Sequence, residues 1–266
     1  MNKVIRAEFG RTINAGLIIA IAGIIFSICF DSFNDLIAGL RNGQGYVGYF
    51  FSNAAFGGMC THYMLPVFTA LPFSVSLCQE RNNKAVSYIV SREGKNRYIF
   101  AKFIVSAISG GFVAACGTVL LFLMLAMRFP IAGDEFEGAV VSDYFHEWSA
   151  VYYPQLYILT LSILAFCRGV IWSSLALCVS LYTSDFMVVL LSPFLGSYVL
   201  VRIFQIIRVP DMVRPDMILI GQVVIKSSGL TLLIAIAISL TIVTLIGAFF
   251  VGKMKAVSYT HLRAHE

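Results

Sequence analysis

The chain has 266 residues, of which 59% are hydrophobic and 12% charged, with a net charge of +5. A soluble domain carries about 25% charged residues, so a chain with half that share and 22 Phe has more apolar surface than one water-facing core can hide. Its solvent is expected to be lipid; a span takes about 20 apolar residues, and this length holds about six with short loops.

The first apolar run, 12–30, follows Lys3, Arg6 and Arg11. It is longer than the apolar core of a signal peptide and no small-residue cleavage site follows it, so a retained first span is expected. Residues 42–79 hold no charged side chain, which is too long for one span. The Gly- and aromatic-rich part, GYVGYFFSNAAFGGM, is expected to lie at the interface or to re-enter. The second span is expected at 60–78, kinked at Pro66 and Pro72. Next comes QERNNKAVSYIVSREGKNRYIFAK (79–102), with eight charged residues, and then a third span at 103–127. The polar loop after it carries Asp134, Glu135, Glu137, Asp143, His146 and Glu147. Their spacing matches neither an EF-hand nor an HExxH helix, and the loop reads as solvated.

The fourth span, 155–182, contains Arg168, and only TSD separates it from the fifth, 186–207. A short apolar run at 217–224 is expected to be re-entrant or interfacial, and the sixth span is 227–252. The tail, 256–266, is polar, lacks helical periodicity and reads as a non-native extension to a single membrane domain, 1–255. The six Cys form no CxxC pair or zinc spacing and read as small apolar side chains.

Charge orients the spans. Lys3, Arg6 and Arg11, the six basic residues of 79–102, and Lys253 with Lys255 fall on one side; Arg41, Arg128, Arg208 and Arg214 fall on the other. By the positive-inside rule the first side is cytoplasmic. The expected fold is all-α: six transmembrane helices, both termini cytoplasmic, in the plasma membrane. The basic residues flank apolar segments and do not line one exposed face, which excludes nucleic acid as a partner.

Within 79–102, Ala85, Val86, Tyr88, Ile89 and Val90 contain the spacing of a short amphipathic helix, with Asn82, Asn83 and Ser87 on the other side and a break at Gly94. Such a helix lies flat on the cytoplasmic face. Its charges then either fix topology and touch headgroups, at about 1 kcal/mol per basic residue, or meet a soluble partner.

The run Glu80, Arg81, Ser91-Arg92, Tyr98 and Lys102 resembles the segment after the second span of ABC-2 type permeases. The six-span plan, the short fourth-to-fifth connection and the apolar half-crossing before the last span are similar too. The resemblance implies a coupling helix at 83–90 that docks on a cytosolic ATPase subunit. Its docking residues would be Glu80, Arg81, Lys84, Val86, Ile89, Ser91 and Arg92, with Glu80 and Arg92 as polar anchors. It also implies a second permease subunit, identical or related, and an exporter. The chain would be no enzyme and would carry no cofactor, with ATP bound on the partner. The stretch GAFFVGKM (247–254) nearly spells a phosphate loop, but Met254 replaces the magnesium-binding hydroxyl and the stretch ends a span.

Arg168 stands near the middle of its span, where insertion scales charge it about 2.5–3.5 kcal/mol. Either it bonds carbonyls and hydroxyls inside the bundle or at a dimer contact, or it lines a water-filled route and meets an anionic part of the substrate. Arg202 and Lys226 sit near outer span ends and are expected to snorkel, and His62 reads as a satisfied polar residue. Gly16/Ala20 and Gly111/Ala115 permit close helix contact. Two other functions are open to so apolar a chain. A secondary transporter or channel would show an inverted repeat, and the two halves are not similar. An intramembrane protease needs catalytic groups at depth, and the expected spans hold no Asp or Glu.

Overall fold

The computed structural model describes residues 2–42, 47, 50, 51, 58–131 and 153–263. Every regular element among them is a helix. The acidic loop 134–147 and most of the Gly- and aromatic-rich segment lie outside the described residues.

Helices α1 (Asn2–Thr12) and α2 (Ala15–Asp31) meet at a bend of 56°. Asn14 builds it. Its backbone is extended, its side-chain oxygen accepts the Leu17 N–H at 3.1 Å, and its amide donates to the Pro72 carbonyl at 3.4 Å. An N-cap of this kind satisfies a helix donor that has no partner within the helix. After α3 (Phe33–Asn42) comes α4 (Met59–Ala70), whose own N-cap, Gly58, has no side chain. Asp31 supplies the missing acceptor from the end of α2, taking the N–H of Cys60 at 2.9 Å and of Thr61 at 2.6 Å. A carboxylate here also meets the positive end of the helix dipole.

The expected second span is broken. Helix α4 stops at Ala70 and α5 runs Ser76–Asn82. Pro72 lacks an N–H, and the Leu71 N–H, with its backbone still helical, turns to the Phe68 carbonyl at 3.3 Å, tightening the turn. The break is buried; the Ser74 hydroxyl within it is paired, while that of Ser76, at the start of α5, has no partner among the described residues. The Ser74 hydroxyl donates to the Ser173 carbonyl at 2.9 Å and shares a 2.9 Å bond with Ser106. Pro66, the other expected kink, is accommodated inside α4.

The amphipathic helix is α6 (Ala85–Glu93), starting two residues later than its expected position because Lys84 takes a left-handed φ of 54°. Gly94 ends it with φ 84° and ψ 134°, a conformation open to glycine and strained for other residues. Then come α7 (Lys95–Ala126), α8 (Pro154–Val179) and α9 (Phe186–Ile207). The short apolar run after α9 forms α10 (Pro215–Ile220), with Ile218, Leu219 and Ile220 buried. The last helix is α11 (Ser228–Arg263). It passes the expected end at 252 and continues through the tail, where no Pro or Gly stops it. Helix α7 begins eight residues before the expected third span, which draws Tyr98 and Lys102 into the bundle.

Four helices are continuous, long and apolar enough to cross a membrane: Lys95–Ala126, Gln155–Val179, Phe186–Ile207 and Ser228–Lys255; the bent α1–α2 pair makes a fifth. The described residues therefore give four to five candidate spans where six were expected, because α4 and α5 are each too short alone. Helix α8 is the hub, with 67% of its most apolar stretch buried against 22% for α9 and 17% for α11. It crosses α7 at glycines: a Cβ on Gly169 would lie 2.5 Å from the Gly110 carbonyl oxygen and 2.9 Å from the Gly111 Cα. Small residues let helices approach this closely where lipid offers no hydrophobic drive between them.

Candidate functional site

The end of the bundle that carries residues 79–102 is held by a buried knot of charge. Lys102, fully buried on α7, donates to Glu80 Oε1 at 2.6 Å and to Glu8 Oε2 at 3.2 Å, with the Phe73 ring 4.7 Å away. Glu80 Oε1 also takes Arg11 Nη1 at 2.6 Å, and its Oε2 accepts the Tyr98 hydroxyl at 2.5 Å. Arg11 reaches back to Glu8 at 3.4 Å. Two carboxylates face two cations, and the knot is neutral. Buried charges persist where they are paired and hydrogen-bonded. Helical spacing sets it up: Glu8 and Arg11 share a face of α1, Tyr98 and Lys102 a face of α7.

The two residues after Glu80 extend the fastening. Arg81 donates to the carbonyls of Ser180 and Leu181 at 2.8 and 3.0 Å, and Asn82 to that of Ser184 at 3.1 Å. A cation there satisfies carbonyls left free at the C-terminus of α8. Lys95, at the start of α7, donates to the Lys255 carbonyl on α11 at 2.9 Å. Glu80, Arg81 and Asn82 thus tie α5 to α1, to α7 and to the α8–α9 turn.

Helix α6 lies across this end. Val86, Ile89 and Val90 pack on a cluster that includes Leu77, Tyr98, Ile99, Leu177 and Phe250. Lys84, Ser91 and Arg92 face out, and Arg92 pairs with its neighbour Glu93 at 3.0 Å. Tyr88 is 78% exposed. The expected docking residues therefore divide. Lys84, Ser91 and Arg92 are outward, while Val86 and Ile89 turn half-buried toward the bundle. Glu80, expected as a polar anchor at the docking surface, is instead only 8% exposed and braces the interior. Arg81 is exposed yet bound to the chain's own carbonyls. Sequence reasoning did not assign Glu8, Tyr98 and Lys102 to this network, nor Tyr88 to the outer face.

Arg168 occupies a second site, on α8. It is 7% exposed and has no hydrogen bond or ion pair with any described residue. It lines two voids. One, of about 20 Å³, is shared with Thr61, Thr118 and Leu219; the other, of about 140 Å³, with His62, Trp172, Ser197 and Asp216. The Thr61 hydroxyl is buried and also lacks a partner. Asp216 is already engaged: Arg214 binds it at 2.7 and 3.3 Å and binds Asp211 at 3.2 Å. His62 packs edge-on against Tyr63. Arg202 is exposed beside Tyr198, and Lys226 is exposed. Among the described residues no group of three His, Cys, Asp or Glu could hold a metal ion.

Comparison with family models, with characterised proteins and with solved structures finds no match to this chain.

Proposed function

We propose that the chain is the permease subunit of an ATP-driven transporter of the ABC-2 type, an exporter of the plasma membrane. One observation carries the reading: an amphipathic helix with an exposed aromatic and a basic rim lies across the bundle end, and the residues just before it are fastened to the other helices there. A push on α6 is then passed to α5 and the break at Pro72, and through Arg81 to α8. A helix that only met headgroups would not need these ties.

In this reading α4 and α5 together make one interrupted crossing. The count becomes six, with both termini on the side of α6, which the Lys and Arg bias assigns to the cytoplasm. ATP is hydrolysed on a separate subunit that docks on Tyr88, Ser91, Arg92 and Lys84. The exposed apolar faces of α9 and α11, with Leu191, Leu195 and Ile203 on one and Leu233, Leu240 and Leu245 on the other, take lipid or a second permease subunit.

The test is purification from the native membrane, with companions identified by mass spectrometry. A chain with a GxxxxGK[ST] loop is expected, and Tyr88→Ala with Arg92→Glu should cut its retention about tenfold, the effect of ~1.4 kcal/mol, with insertion unchanged. Full retention in that double variant would remove α6 from the docking surface. Solute movement by the isolated chain without nucleotide would instead favour a secondary transporter or channel.

A further inference from the structure

We propose that the cavity around Arg168 binds the anionic head, a carboxylate or phosphate, of an amphipathic molecule. That this molecule is the cargo rests on the transporter reading; that the site takes such a head does not.

A guanidinium offers five donors and no acceptor. On Arg168, buried at the middle of α8, no described residue uses any of them. The nearest acid lining the larger void, Asp216, is held by Arg214. Arg214 also binds the exposed Asp211, and neither acid forms an ion pair with Arg168, so the guanidinium keeps all its donors for a ligand. A second orphan stands beside the first. The Thr61 hydroxyl, also on a void that Arg168 lines, is buried and unpaired. Two polar residues from different helices, each with an unpaired side chain, line the same small void of about 20 Å³, and Arg168 alone of the two also lines the larger one. A water or an oxyanion accepts from both, but only the anion also neutralises the guanidinium, and charge-assisted bonds from arginine to carboxylate or phosphate are among the strongest available.

The walls specify the rest of the ligand. The larger void of about 140 Å³ is lined by Ile171, Trp172, Leu175, Leu200, Val201 and Ile242. It exceeds several-fold the ~10–15 Å³ that admits one water. A bare inorganic anion would leave this apolar wall unused, and a neutral hydrocarbon would leave the guanidinium unpaired. A charged head on an apolar body satisfies both. The site also shares α8 with the carbonyls that Arg81 grips, so motion at the α6 end reaches it through one helix.

Trp172 lines the cavity, and the only other tryptophan is Trp148. A Trp148→Phe chain therefore reports from the site alone. Purified in detergent, it is titrated with bromine-labelled dodecanoate, whose bromine quenches indole emission, and with the matching uncharged bromododecanol. Saturable quenching by the carboxylate is expected, weakened at least tenfold in Arg168→Gln and several-fold in Thr61→Val. The alcohol should bind no better to the parent than to Arg168→Gln. Equal carboxylate affinity in the parent and Arg168→Gln would overturn the proposal. So would an alcohol that binds as tightly as the acid.

A second arm uses nanodiscs of phosphatidylcholine with or without brominated phosphatidylglycerol. Arg168-dependent quenching there identifies a bilayer lipid as the source of the head; quenching only from dissolved dodecanoate identifies a solute. Arg168→Gln must keep the parent's elution volume and emission maximum, and Thr61→Val, which leaves the charge in place, provides the reading should it not. Loss of ATPase retention with binding intact would sink the transporter reading alone. Loss of binding with retention intact would sink the anion site alone.

Discussion

Lys102 stabilises the fold only in company. Its ammonium is fully buried, and the two carboxylates it meets come from α1 and α5. Replacing it with Met leaves Glu8 and Glu80 facing only Arg11, which is half in solvent. Breaking a buried pair from one side costs about 3–5 kcal/mol, whereas removing both partners costs far less. Lys102→Met should therefore lower the thermal midpoint of the purified chain sharply, and Lys102→Met with Glu80→Gln should recover most of the loss. Equal melting of the two variants would mean that the carboxylates are not buried against the lysine. Arg168 predicts the opposite sign. It is buried without a partner, so Arg168→Leu should raise the midpoint, through a gain in stability of at most the ~2.5–3.5 kcal/mol of the insertion scale, while abolishing ligand binding. A fall in the midpoint would show that the guanidinium is satisfied within the chain. Sequence alone singled out Arg168, because a charge inside an apolar run is visible without a structure. It read Glu80 as a surface anchor and placed Lys102 at the mouth of a span. Their pairing depends on α7 starting at Lys95 and on α1 folding back across it, and neither is written in local periodicity.

Hydropathy located the continuous helices well: α9 matches its expected bounds and α8 falls close to its own, while α10 covers only the first half of the apolar run expected at 217–224. The misses are at breaks. A window average sees an apolar run through Pro72 and reports one span; the regular helix stops at Ala70 because proline removes a donor there, the Pro72 carbonyl is taken by Asn14, and the Ser74 hydroxyl bonds Ser106 and the Ser173 carbonyl. Those partners lie on other helices, beyond what a single run can reveal. The bend at Asn14 was hidden for the same reason. The Gly111/Ala115 pair expected to permit close contact lies on α7, and the residue that meets Gly111 there, Gly169, sits on α8 beside Arg168. Because a Cβ there would strike backbone atoms, which cannot rotate away, Gly169→Val should drive α7 and α8 apart. Expected are poor yield and a lowered midpoint, from a loss of stability at least as large as the ~1–3 kcal/mol of an overpacked core. Gly252→Val, where a Cβ meets nothing, is the control. Similar behaviour of the two would mean that the crossing is loose.

For the molecule as a whole, the decisive property is which end meets the cytoplasm. The charge knot, α6, the α8–α9 turn and the Lys255 carbonyl gather at one end through their hydrogen bonds. The loop after α9, with Met212 exposed, follows a helix that leads away from that end. The Lys and Arg that flank the apolar runs lead the sequence to expect the α6 end in the cytoplasm, since basic residues resist translocation, and labelling tests that expectation. In a chain freed of its native cysteines, Arg92→Cys should react with a membrane-impermeant maleimide only after the cell is opened, and Met212→Cys should react in intact cells. Labelling of both from outside would put the two ends of α9 on one side, which a membrane-crossing α9 forbids. A clean inversion would keep the bundle but turn α6 toward the exterior, where no ATP-driven subunit could reach it, and the transport mechanism proposed for that helix would fail while its packing against the bundle stood unchanged.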